Sequence, residues 1–133
     1  MKKIKKYLSN IRRKYFLGFR IDGRGERVHI DARTSTPFDL MDVYQKSHTR
    51  RYEFAQNYVQ SSDICGDFAC GTGYGTVMLA EKGSCAIGAD IDRRVVREIQ
   101  SRYNNNKKVS FIRKNLLKLS YKNHFDTLVS FET

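Results

Sequence analysis

The chain has 133 residues, enough for one domain that buries roughly two-thirds of its extended-chain surface and too few for two. Hydrophobic residues make up 40% and charged residues 29%, and no apolar run approaches the roughly 20 residues of a membrane-spanning helix. The formal charge of +11 is concentrated in a head: residues 1–20 hold eight bases and no acid, whereas the other 113 residues hold 17 bases and 14 acids.

Within that head, Ile4, Tyr7, Leu8, Ile11, Tyr15 and Phe16 recur three to four apart, which predicts a basic amphipathic helix over residues 3–16. It suits an anionic surface or a partner chain, and packing against the domain equally well. Nucleic acid is weighed as a partner but not favoured, because a charge run is more often a solvated face. The lysines are followed by neither an uninterrupted apolar stretch nor a small-residue cleavage site, which argues against a secretory signal.

Gly18, Gly23 and Gly25 with alternating charges make a connector to Thr36, with a short strand over 27–30. The chain thus divides into a basic segment and connector, 1–36, and a domain, 37–133. Pro37 behind Ser35 and Thr36 opens a helical segment with Leu40, Met41, Val43 and Tyr44. A second segment over 49–60 places Tyr52, Ala55 and Val59 on one face.

After Ser62 the pattern alternates. Residues 64–69 read as a strand, 75–82 as a helix closed by Gly83, 85–91 as a strand and 93–103 as a helix, with Asp92 as its N-cap. Residues 109–112 and 126–131 read as two more strands. Alternating strands and helices predict an α/β fold, a Rossmann-like parallel sheet with flanking helices and right-handed crossovers. Three cysteines, an odd number without paired short spacing, argue against a disulfide framework and a zinc site. They are expected to be buried small apolar residues in a reducing, cytoplasmic compartment, and no metal is expected.

The chemistry concentrates in the stretch DFACGTGYGT, residues 67–76, at the first strand-to-helix turn. In a parallel sheet, ligands bind beyond the carboxyl ends of the strands, and Gly71, Gly73 and Gly75 let the main chain approach one closely. Asp67 would repel a pyrophosphate, and the fingerprint G-x-G-x-x-G fails at Thr76, so a dinucleotide is disfavoured. An acid here suits a cationic group such as an amino-acid ammonium. Asp90 ends the second strand nineteen residues after Gly71, where a carboxylate accepts from ribose hydroxyls. Ribose plus ammonium points to an aminoacyl nucleoside.

DFACGTGYGT followed by AIGADID resembles motif I and the next acidic motif of class I S-adenosylmethionine-dependent methyltransferases. FDTLVSFET resembles their fourth strand, and HTRRYEFAQNYV a helix that precedes the core in one branch. The likeness covers roughly residues 44–133. It implies S-adenosyl-L-methionine as cofactor, with Asp67 engaging its amino group, often through water, and Ala69, Gly71, Gly73 and Gly75 lining the methionine and ribose. It also implies Asp90 on the ribose hydroxyls and Ile91 against adenine. Asn115 stands where the family has an acid that accepts from the adenine amino group, and its side-chain carbonyl can take that bond. Arg51 and Tyr52 are expected to cover the cofactor with His48.

The implied reaction is direct displacement of the sulfonium methyl by an unidentified acceptor, in which the protein contributes positioning and electrostatics. If the acceptor is a hydroxyl, His48 and Glu132 are the candidate bases. Two departures stand out. Gly66 replaces the family's bulky apolar residue, at a cost in packing. The family's sheet has seven strands and this sequence stops at the fourth, so a truncated core is expected, and with it the alternative of an inactive fragment acting as a binding or partner subunit.

Overall fold

A computed structural model describes Met41 and residues 43–131. The expected basic helix, the connector, Pro37 and Glu132 lie outside the described residues. The chain runs α1 (Val43–Gln56), β1 (Ile64–Phe68), α2 (Tyr74–Lys82), β2 (Cys85–Asp90), α3 (Arg93–Arg102), β3 (Val109–Arg113), a 3-10 turn (Leu116–Lys118) and β4 (Thr127–Ser130). The four strands form one sheet in the order β3-β2-β1-β4, and every pairing is parallel. This is a Rossmann-like parallel sheet with flanking helices, as the alternation of strand and helix patterns predicts.

The order places the site. The chain steps from β1 outward to β3 and then returns past β1 to β4, so the direction of winding reverses between β1 and β4. In open parallel sheets the crevice at such a reversal, beyond the carboxyl ends of the strands, is where ligands bind. The turn after β1 lies at that point.

Two apolar clusters hold the helices on the sheet. Tyr52 and Ala55 of α1 and Leu79 and Ala80 of α2 pack with Cys65, Ala86 and Val129 of three strands. Val95, Val96 and Ile99 of α3 pack with Val77, Tyr103 and Phe111. Because strand side chains alternate, Cys65 and Asp67 of β1 share one face, with zero exposure, and Gly66 lies on the other. That other face is covered by the crossover into β4: the Phe125 ring lies where a side chain at residue 66 would be, 3.0 Å from the position of its Cβ. Phe125 also meets Phe68 edge-on at 5.5 Å. The bulk missing at Gly66 is supplied from a distant stretch of chain.

Capping follows the chemistry of the residues. Asp92 Oδ1 accepts from the Arg94 amide at 2.8 Å and starts α3, as its position predicts. Gly83 ends α2, its amide donating to the Leu79 carbonyl. The structure differs ahead of β1. Within the described residues, the segment expected to begin around Leu40 to Tyr44 and the second one expected over 49–60 are one helix, α1 (Val43–Gln56). Residues 45–48 contain no breaker, and the Thr49 hydroxyl, which competes with helical backbone elsewhere, is spent within the helix on the Gln45 carbonyl at 2.8 Å. Asn57 and Tyr58 then turn the chain back through bonds to the Phe54 and Ala55 carbonyls. Cys65 and Cys70 are buried as expected, while Cys85 is only half-buried; all three are free thiols. Among the described residues no helix is long and apolar enough to cross a membrane.

Candidate functional site

β1 carries Asp67 to its carboxyl end and the sheet buries it completely. Thr76, in the first turn of α2, donates its hydroxyl to Asp67 Oδ2 at 2.6 Å, and the Tyr52 hydroxyl of α1 donates to Oδ1 at 3.0 Å. Burial pushes the carboxyl up to about 6; the bonds from Thr76 and Tyr52 oppose that rise, and the nearby Asp90 carboxylate adds to it. Burial next to Asp67 also drives the Tyr52 phenol far up, so it stays protonated and remains a donor.

Between Asp67 and α2 the backbone makes a left-handed turn. Ala69, Gly71 and Gly73 have φ of 62, 53 and 80°. The conformation is natural for glycine and costs about 1 kcal/mol at Ala69. Gly73 is the N-cap of α2, and its lack of a Cβ also lets the Phe111 and Tyr103 rings lie about 3 Å from where that Cβ would be. Gly71 is the opposite case: a Cβ there would meet nothing within 4 Å. Its bare backbone faces open space.

Asp90, 6% exposed at the end of β2, ties the turn down. Its Oδ2 accepts from the Gly71 amide at 3.0 Å and its Oδ1 from the Asp92 amide at 2.9 Å. The Cys70 amide bonds the Ala89 carbonyl at 3.0 Å. Just beyond, Ile91 is 59% exposed although apolar. The segment after β3 is fastened alongside, through the Lys114 amide on the Asp90 carbonyl at 3.0 Å and Arg113 Nε on the Ile91 carbonyl at 3.1 Å. Asn115 follows, its side-chain oxygen accepting from the Leu117 amide at 3.0 Å.

The fold therefore brings Tyr52, Asp67, Ala69, Gly71, Gly73, Asp90, Ile91 and Asn115 to the carboxyl end of the sheet. Gly75 lies underneath: the Tyr52 ring occupies the space a side chain there would need. His48 and Arg51 are half-buried on α1, and of the three residues expected there Tyr52 is the one bonded to Asp67. Thr76 and Gly88 were not singled out as site residues. Thr76 entered the sequence argument only as a broken dinucleotide motif. Gly88 sits mid-strand in β2 because a Cβ there would come within 2.7 Å of both Thr76 Oγ1 and Phe111. A glycine inside a strand signals such close approach, and this was the available clue.

A carboxylate, a left-handed glycine turn and a second carboxylate thus meet at the switch point of a parallel sheet, and a family profile described as "Methyltransferase domain" matches residues 66–133, half of the chain. The chain belongs to the class I methyltransferase domain family. No curated protein sequence matches it. Among solved structures, a dimethyladenosine transferase from Plasmodium falciparum is 25% identical with a TM-score of 0.56, over 64% of this chain and 31% of that one. The PH0226 protein from Pyrococcus horikoshii OT3 is 24% identical with a TM-score of 0.56, over 71% of this chain and 45% of that one. The 23S rRNA methyltransferase ErmE is 18% identical with a TM-score of 0.57, over 68% of this chain and 36% of that one. The methyltransferase domain described here thus spans less than half the length of each of these proteins.

Proposed function

We propose that this methyltransferase domain binds S-adenosylmethionine across the turn between β1 and α2 and takes part in methyl transfer to an acceptor. The observation that carries the proposal is Gly71, whose backbone faces open space while its amide is anchored on Asp90. A nucleoside needs such a cradle, and a side chain would fill it.

The other residues fit the same ligand. Asp90 accepts the Gly71 and Asp92 amides, and a carboxylate, with about four acceptor sites, can also take a ribose hydroxyl. The exposed Ile91 offers an apolar face to adenine. Asn115 Oδ1 keeps a second lone pair for the adenine amino group beside its bond to Leu117. Asp67 is the natural counter-charge for an ammonium but is screened by Tyr52. When bound, S-adenosylmethionine supplies a methyl group activated by the sulfonium charge, so the chain's task is to orient and to exclude water. A base for a hydroxyl acceptor would come from His48 or Glu132.

Calorimetric titration with S-adenosylmethionine and S-adenosylhomocysteine tests the proposal: both give saturable heat, whereas no heat at millimolar ligand would end it. A second reading, a binding or partner subunit without turnover, draws on β4, an edge strand of the described sheet, because a sheet edge can pair with a strand of another chain. Cofactor binding with no methyl transfer to any offered acceptor would favour it.

A further inference from the structure

The two oxygens of Asp67 are held in unequal ways. Thr76 has zero exposure and is wedged between β1 and β2, with its Oγ1 in the space that Gly88 leaves open. Its bond to Oδ2, at 2.6 Å, can be lost only by repacking the sheet against α2. Tyr52 holds Oδ1 from outside the sheet, on α1, through a longer bond of 3.0 Å. Its ring rests over Gly75 and meets Tyr74 and Phe131 edge-on at 5.4 and 5.2 Å. One donor is built in between the strands, and the other reaches in from a separate helix packed against α2.

We infer that Thr76 is a permanent anchor of Asp67, whereas Tyr52 is a latch that a ligand ammonium displaces from Oδ1. The inference rests on the nucleoside reading above and assigns a role that discriminates among nucleosides. An ammonium is a charged donor, and a charge-assisted bond to a carboxylate is roughly twice as strong as one from a neutral hydroxyl, so the exchange runs downhill. A nucleoside without an amino-acid tail has nothing to put in place of the phenol and leaves the latch closed. Thr76, acting through Asp67, is a positioning residue: it keeps Oδ2 occupied, so that Oδ1 alone faces the incoming charge.

The experiment compares S-adenosylhomocysteine with 5′-methylthioadenosine, which lacks the amino-acid tail, by calorimetry at pH 8 on the full chain. Tyr52→Phe keeps the ring contacts and removes the competing donor. It should tighten S-adenosylhomocysteine binding by at least about tenfold, the low end of what a hydrogen bond to a charged group is worth, and leave methylthioadenosine unchanged. Thr76→Val should weaken S-adenosylhomocysteine alone, with Thr76→Ser restoring it. Independently of any ligand, the carbon-13 titration of the Asp67 carboxyl should move upward in Thr76→Val and return in Thr76→Ser. Weaker or unchanged S-adenosylhomocysteine binding in Tyr52→Phe, or an equal change for both nucleosides, overturns the latch while leaving the nucleoside site standing. Failure of the wild-type chain to bind either nucleoside removes the site and the latch together.

Discussion

Asp67 is a buried carboxylate whose folded titration point lies near 6 against an unfolded value of 3.8. Between those values the native state keeps a proton that the unfolded chain has released, so stability falls as pH rises from about 4 to 6 and stays lower above that. The groups that face Asp67 are Tyr52 from α1, Thr76 from α2 and Asp90 from β2; the two hydroxyls limit the loss and the second carboxylate enlarges it. A two-unit shift corresponds to at most about 3 kcal/mol. Denaturant melts across pH 4–7 should show this decline in the wild type and a flatter profile in Asp67→Asn; parallel profiles would mean that Asp67 is not the group responsible. A carboxylate held at such a cost to folding serves a purpose other than stability, which is the argument for reading it as a counter-charge. Its presence was legible in the sequence as an acid ahead of glycines. Its partners were less so, because Thr76 and Tyr52 reach it across nine and fifteen residues of chain.

At the level of the elements, β1 illustrates how a local rule is offset by a distant contact. Glycine within a strand weakens it, and the sequence offers no sign nearby that Gly66 is compensated. The compensation is Phe125, brought over β1 by the crossover into β4. Restoring bulk by Gly66→Val should therefore destabilise the domain by roughly 1–3 kcal/mol, the range for overpacking, because two groups would claim one space. In a Phe125→Ala background the same substitution should cost much less. The cycle is read by urea melts, and additive effects would show that the two residues do not share that space. The strands and α2 and α3 were readable because each has a dominant local signal: β-branched or small apolar runs, a glycine stop, an Asp92 cap. α1 was misdivided because its apolar positions are sparse. Thr49, Tyr52 and Ala55 are its buried residues, a narrow stripe on a polar helix that is held by packing on α2 and not by its own periodicity.

For the whole molecule, strand order decides where chemistry can occur, and that order was not written in any local pattern. Periodicity predicted parallel strands; the return of the chain past β1 to β4, which makes the glycine turn the switch point of the sheet, is a long-range outcome. The charge distribution was legible from the outset, but the basic head lies outside the described residues, and the acceptor is not inscribed in the glycine turn. The family profile and the fold give a methyltransferase sheet, and the nucleoside cradle is our proposal for its glycine turn. The most direct test is a backbone amide NMR titration of the chain with S-adenosylhomocysteine, with NADH as the diphosphate-bearing control. Saturable shifts centred on Gly71, Asp90, Ile91 and Asn115 are expected for the first ligand and none for the second. Shifts produced there by NADH, or a turn that stays silent to S-adenosylhomocysteine, would contradict the nucleoside cradle.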